Sequence, residues 1–555
     1  MIGPSALNVG GARFLGLTPQ AGIERAVRAC LCFPAPEGEG DNGGVSYQYF
    51  YDSAGRLMQA KFSSGVAEYA YYLNGSRKSL TLPNKVKTEY TFDALMRLDY
   101  MEHRDSEEAL LASFDYTVGR TGKRAGVSEM IDSATANWTY TYDGLDRLAT
   151  AARGIDEGTT TTTYTYDVVG NRASMTRGGI ETTYVYNPLD QLESETSSGA
   201  TTNYLYDGNG NLSQKDTGTK VTNYVYDSRG RLRKVYEGEA IQANLTLEYA
   251  YDFAGNRFAK AARNGSNDFT RSTFLIDNNN LTGYSQTFLE MDYDTGEVSR
   301  RYEYGDDLYC QVDNPSSPTP NPFYFLYDGL GTTRALTDSD ESILEEYNYH
   351  PFGDGLDNPS EPATNYLFTG EYLDSDLGYY YLRARYYSPG LGRFTGFDPA
   401  EDYTNRLHKY AYCGNNPINV NDPSGELCFV LVVGLLLAIL LICLPANGPA
   451  RLLPPDITDY VEDEIKTIDE KTANINSAPI TSIFNSPFSV ECKKLNYFRY
   501  FVKNLKYDSA IEDANLDANV LKNTWTTIDG NLYHSDTLGN ILFAVSYTHL
   551  TLPTN

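Results

Sequence analysis

Two aspartates, each followed by proline, stand 24 positions apart: Asp398 in FDPAE and Asp422 in NDPSG. Two carboxylates held close together share one proton, because both cannot ionise cheaply at short range. One then acts as a base toward a water while the other protonates a carbonyl or a leaving amide. The sequence between them, residues 407–420, reads as hairpin-like, a chain reversal that would bring the two acids together. Arg393, in Gly392-Arg393-Phe394, is a candidate positioning charge. The same residues also fit a plain turn, since Asp-Pro-Ser-Gly carries proline second and glycine fourth. On residues alone, turn and acid pair both stand.

Any acid pair here must be positioned by what precedes it, which is a repeat. The unit is Y-x-Y-D-x-x-G-N/R, clearest at Tyr164-Thr-Tyr166-Asp167-Val-Val-Gly170-Asn171-Arg172. It recurs at Tyr140/Tyr142, Tyr204/Tyr206, Tyr224/Tyr226 and Tyr249/Tyr251, with a variant at Tyr184/Tyr186/Asn187; Tyr166, Tyr186, Tyr206 and Tyr226 follow at steps of 20 residues. A fixed period of this length signals an array rather than separate domains. Tyrosines two apart share a strand face and stack on neighbouring strands. Aspartate at the turn's first position bonds the backbone two residues on, and glycine at its fourth accepts positive φ. The unit is therefore a β-hairpin closed by a type I turn and a glycine bulge. A lone hairpin cannot bury its apolar face, so successive hairpins must join one long, coiling sheet. Packing explains the tyrosines; an exposed aromatic ladder that stacks on surface carbohydrate is the alternative use.

Composition narrows the function. The chain has 555 residues, 47 tyrosines, 47 glycines and a net charge of −28. That balance excludes a duplex nucleic-acid surface for the array, which needs clustered lysine and arginine. Seven scattered cysteines and five histidines, with His350 and His534 isolated, make no ligand set, so no cofactor and no metal is expected. The start, MIGPSALNVGGARFLGL, lacks the pattern of a secretory signal. The repeats begin almost at once, so the chain reads as a fragment lacking part of its array.

From residue 365 the sequence changes character: FTGEYLDSDLGYYYLRARYYSPGLGRF, then DP, then YAYCGNNPINVNDPSG. This run resembles the RHS repeat-associated core, and the upstream units resemble the YD repeats of RHS and wall-associated repeat proteins. The resemblance covers residues 47–425 and divides the chain into an irregular lead-in (1–46), a YD array (47–273) and a core (274–425). It implies a mainly β fold in which the coiled sheet closes into a shell, or cocoon, around cargo. It also implies a polymorphic-toxin carrier that acts in competition with bacteria or hosts and is secreted or surface-associated. In such carriers Asp398 and Asp422 would form a single-turnover aspartic autoprotease cutting near Glu426, Leu427 and Cys428. Three positions depart from the family pattern: Ala400-Glu401 where DPxG is usual, Ser388 where aspartate is common, and Glu426 where an apolar residue is common.

After Gly425 the composition shifts abruptly. Residues 427–444 (LCFVLVVGLLLAILLICL) carry no charge, which predicts one strongly apolar helix, at the short end for a membrane span, within 426–447. Residues 448–545 read as a variable, effector-like region, giving a small α or α+β tail, and 546–555 (SYTHLTLPTN) read as a non-native end. The expected partners are this tail as cargo, a target membrane and a cognate immunity protein. The competing function is a secreted or wall-associated carbohydrate-binding adhesin that does not cut itself.

Overall fold

The structure, a computed structural model, describes residues 45–156, 158–265, 268–399 and 408–426. It also describes the backbone of Ala26–Leu31, Trp525–Ile528 and Asn531–His534. It divides into two units, Met1–Val430 and Leu431–Asn555. In the second, the described residues form a two-stranded hairpin. The apolar stretch 427–444 and, apart from that hairpin, the predicted α or α+β tail lie outside the described residues, and among the described residues no helix is long and apolar enough to cross a membrane.

The first unit is one 28-stranded antiparallel sheet followed by a small four-stranded one. Each strand of the large sheet pairs with the next in sequence, from Ala26–Leu31 through to Ile343–Glu346. The sheet runs without a break across residue 273, where the sequence pattern loosens.

The hairpins follow from the repeat. In Gly158–Tyr166 paired with Arg172–Arg177, the register slips by one residue between Thr165 and Tyr166, the bulge expected beside the turn. The same slip recurs at Tyr186, Tyr206, Tyr226 and Tyr251. Asp167 Oδ1 accepts bonds from the backbone N–H of Val169, Gly170 and Asn171 at 3.0, 2.8 and 2.8 Å. Gly170 has φ +102°, which glycine adopts without steric cost. Where the unit carries arginine after the turn, that side chain links neighbouring hairpins. Arg147 pairs with Asp143 at 2.6 Å and donates to the Asp167 carbonyl at 3.1 Å. Arg231 repeats this with Asp227 and the Asp252 carbonyl.

From Tyr164 on, the first tyrosine of each pair (Tyr164, Tyr184, Tyr204, Tyr224, Tyr249) is buried. Val185, Leu205 and Val225 between the pairs face solvent, as strand alternation requires. In this stretch the ladder is therefore an inner face, not an exposed aromatic surface. Tyrosine hydroxyls complete the turns: Tyr166, Tyr186 and Tyr251 donate to the carbonyls of Leu148, Arg172 and Leu232 at 2.8 to 2.9 Å.

The sheet winds back on itself. Tyr49 Oη reaches the Tyr304 carbonyl at 3.0 Å, and Arg77 pairs with Asp306 and Asp307 at 3.0 and 2.7 Å. Buried Glu129 holds Arg334 at 2.8 Å. Against the inner face lies the closing segment, residues 347–399 and 408–426. Its rings pack on the ladder: Tyr379 stacks on Tyr224, Tyr386 lies tilted against Tyr249, and Phe352 and Tyr410 meet Tyr164 and Tyr206 edge-on. It also bonds the row of hairpin turns, with Asn415 donating to the Gly170 carbonyl and Tyr410 to that of Gly210, both at 2.8 Å. A buried cluster fastens it further. Asp374 accepts bonds from Lys260 at 2.6 Å, Arg257 at 2.8 Å and Tyr249 at 2.9 Å.

Candidate functional site

The small sheet positions the site. Its strands are Tyr372–Asp374, Tyr379–Leu382, Arg385–Ser388 and Arg393–Phe394. A tight turn joins the second and third, so Arg383 (φ +58°) and Arg385 emerge two residues apart at one corner.

Arg385 is the hub. Its Nη2 lies 3.4 Å from Asp398 Oδ2 and 3.7 Å from Asp422 Oδ2. The two carboxylate oxygens are thus no farther apart than the sum of those distances. Asp398 and Asp422 are both buried, and so is Arg385. Its Nη1 donates to the Lys409 carbonyl at 3.0 Å, and its guanidinium stacks over Phe394 at 3.6 Å. One buried cation thus stands within ion-pair range of both acids.

Residues 422–425 form the expected turn: the Gly425 N–H donates to the Asp422 carbonyl at 3.4 Å. Turn and acid pair therefore coexist. Ser424 Oγ donates to Asp422 Oδ1 at 2.9 Å and accepts from the Glu426 N–H at 3.0 Å. Three successive carbonyls of this turn are captured by three successive residues opposite. Arg383 Nη1 donates to Pro423 O, the Ala384 N–H to Ser424 O at 3.2 Å, and Arg385 Nε to Gly425 O. Gly425 has φ +69°, and a Cβ there would meet the Leu382 carbonyl oxygen at 2.1 Å. Only glycine lets the chain lie this close.

A third acid stands behind the turn. Glu371 binds Arg383 Nη1 through both carboxylate oxygens at 2.9 Å. Burial pushes its carboxyl up to about 7; Arg383 opposes the rise and the Asp422 charge adds to it.

The profile of the family described as Teneurin YD-shell matches residues 113–418, more than half of the chain. The chain belongs to the YD-shell family. Among curated proteins this YD-shell is similar to salivary gland surface protein 1 of Aedes aegypti, 29% identical over 215 residues, 37% of this chain and 6% of that protein. It is also similar to the tRNA3(Ser)-specific nuclease WapA of Bacillus spizizenii, 30% identical over 196 residues, 33% of this chain and 8% of that one. The aligned part is thus less than a tenth of either relative. The Photorhabdus luminescens Tc holotoxin pore superposes with a TM-score of 0.57 at 21% identity, over 70% of this chain and 20% of that one. At that identity the likeness is one of fold.

Within the YD-shell, Asp398 and Asp422 come together, and Arg393 sits elsewhere. Its guanidinium lies between the rings of Tyr186 and Tyr410, 4.9 Å from each, and donates to the Asp190 carbonyl. It anchors the closing segment to a hairpin turn. Glu426 is exposed at the end of the described stretch, and Leu427 and Cys428 lie outside it. The hairpin-like reading of 407–420 is replaced, among the described residues, by a bridge from Ala411 to Arg393 and a 3-10 turn at Cys413–Asn415. Arg385, Arg383 and Glu371 were not singled out from the sequence. The available signal was LRARYY, two arginines on one side of a hairpin corner.

Proposed function

We propose that this YD-shell closes as a cocoon around its own C-terminal segment and cuts that segment free once, between Glu426 and Cys428, as an aspartic autoprotease. The observation that carries the reading is the shared Arg385 between buried Asp398 and Asp422, beside a turn whose Pro423, Ser424 and Gly425 carbonyls are all held. The cut requires one carboxyl protonated and its neighbour ionised. The ionised one takes a proton from a water as the water oxygen bonds the peptide carbonyl carbon. The other gives its proton to the leaving nitrogen as the C–N bond breaks. A carboxyl ends the shell, an amine begins the released segment, and the pair has exchanged its proton. Arg385 balances charge throughout, and the clamp supplies the fixed geometry that makes such attack efficient.

The released tail is the cargo. Its apolar stretch 427–444 suits insertion into a target membrane as a helix, with the shell keeping it from water until release. This assigns the protein a secreted or surface-associated toxin-carrier role, with a cognate immunity protein guarding the producer. The test is intact-mass analysis of the purified chain beside Asp422→Asn and Asp398→Asn. Wild type should yield two fragments with the junction at 426–428, and each variant a single full-length species. Identical patterns in all three would sink the reading.

A further inference from the structure

Arg383 and Glu371 are not needed to close the small sheet, yet Glu371 is buried and Arg383 is mostly shielded, with 21% of its side chain exposed. Arg383 ties three separate segments together. Its Nε donates to the Ser285 carbonyl at 2.9 Å, its Nη1 to both oxygens of Glu371, and the same Nη1 to the Pro423 carbonyl. Its guanidinium lies 5.4 Å from the Tyr284 ring centre. Glu371 follows the 3-10 turn Phe368–Gly370, and its carbonyl accepts from the Leu367 N–H at 3.0 Å. The pair lines, with Asn421 and Pro423, a cavity of about 650 Å³ inside the first unit. Buried ion pairs are a poor source of net stability compared with apolar packing of the same volume. A pair retained here, one residue from Asp422, is better explained by what it does to that aspartate.

We propose that Arg383 and Glu371 are positioning residues for the self-cutting site: Arg383 fixes the Pro423 carbonyl and so the path of the chain into the cut, and Glu371 sets the charge felt by Asp422. This rests on the autoprotease reading above. The groups that act on Glu371 are Arg383, which favours its charge, and Asp422, which opposes it; Tyr366 also feels its charge. Coupling between two acids is mutual. An ionised Glu371 therefore disfavours ionisation of Asp422, just as the Asp422 charge disfavours that of Glu371. Without the Glu371 charge that opposition is gone, and the ionised form of Asp422 is favoured.

The experiment follows fragment appearance by intact mass in the full chain, from pH 4 to 9. The forms compared are wild type, Arg383→Met, Arg383→Lys and Glu371→Gln, each checked for an unchanged thermal transition. Arg383→Met should slow the cut about 10- to 100-fold, as expected for loss of a positioning contact, with part of the rate restored in Arg383→Lys. Glu371→Gln should move the alkaline limb of the pH–rate profile toward acid by about one unit. Uniform slowing of Glu371→Gln with an unmoved limb would assign the pair a merely structural part and overturn the proposal, as would wild-type rates in both Arg383 variants. A wild-type chain that stays whole removes the autoprotease reading itself, and the pair's role with it.

Discussion

Gly425→Ala isolates the geometry of the site from its acid chemistry. The added Cβ would stand 2.1 Å from the Leu382 carbonyl oxygen and 3.1 Å from the Arg385 backbone nitrogen. Both neighbours are backbone atoms of a paired hairpin and do not swing aside. A carbon meets a carbonyl oxygen comfortably at about 3.3 Å, so the turn must lift by roughly 1 Å. An L-residue at this φ adds about 1–2 kcal/mol of strain. Lifting the turn loosens the Ser424 and Gly425 carbonyls from Ala384 and Arg385 while leaving Asp398, Asp422 and Arg385 chemically intact. A misplacement near 1 Å costs about 100-fold in rate, equivalent to about 2.7 kcal/mol of barrier. The assay is a time course of fragment formation by intact mass, with Asp422→Asn as the floor. Gly378→Ala is the control: it also has positive φ (+75°), but nothing lies within 4 Å of its Cβ, so its rate should match wild type. If wild type is cut and Gly425→Ala keeps pace with it, close approach of the turn to the 382–385 corner is not what positions the cut.

Two further outcomes concern stability. Asp374→Asn leaves Arg257 buried without its counter-charge and Lys260 with Asp376 alone, and should destabilise the first unit by about 3–5 kcal/mol, read from urea or thermal unfolding; an unchanged midpoint would contradict the clamp. Burial pushes the Asp374 carboxyl up, but Lys260 and Arg257 outweigh it and hold it below the usual range. Its contribution is therefore present above the unfolded carboxylate pKa and is lost as pH falls through the lower folded value. Burial lowers His103 and His350 to about 4 and His408 to about 3, the last helped by Arg393. The unfolded chain takes up these protons first, so stability should fall as pH drops from about 6.5 toward 4, by about 3 kcal/mol for His103 alone. His103→Gln should flatten that slope, and a stability flat over this window would refute the assignment.

The hairpin array was legible because its information is local: tyrosine alternation, the Asp167 type of turn and the bulge beside it are all set within about nine residues. Asp398 and Asp422 were legible by their repeated Asp-Pro signature. Their cation was not. Arg393 is close to Asp398 in sequence, but successive strand residues point to opposite sides. Phe394 therefore faces Arg385, while Arg393 turns away to Tyr186 and Tyr410. Arg385 reaches the acids only through the corner at Arg383, a strained backbone position with no sequence mark of its own. The 408–426 stretch also escaped, because its backbone and side chains find partners on distant turns, such as Gly170 and Tyr142, instead of on itself.

Sequential strand pairing lets the sheet lengthen one hairpin at a time as the polypeptide emerges, each new strand templated on the last. The closing segment has no such freedom: its contacts reach back to residues 124, 142, 170 and 210, which must already be wound. The acid pair is completed by its final turn, at residue 422. Under the autoprotease reading, a half-made chain then carries no working blade, and severance serves as a receipt that assembly has finished.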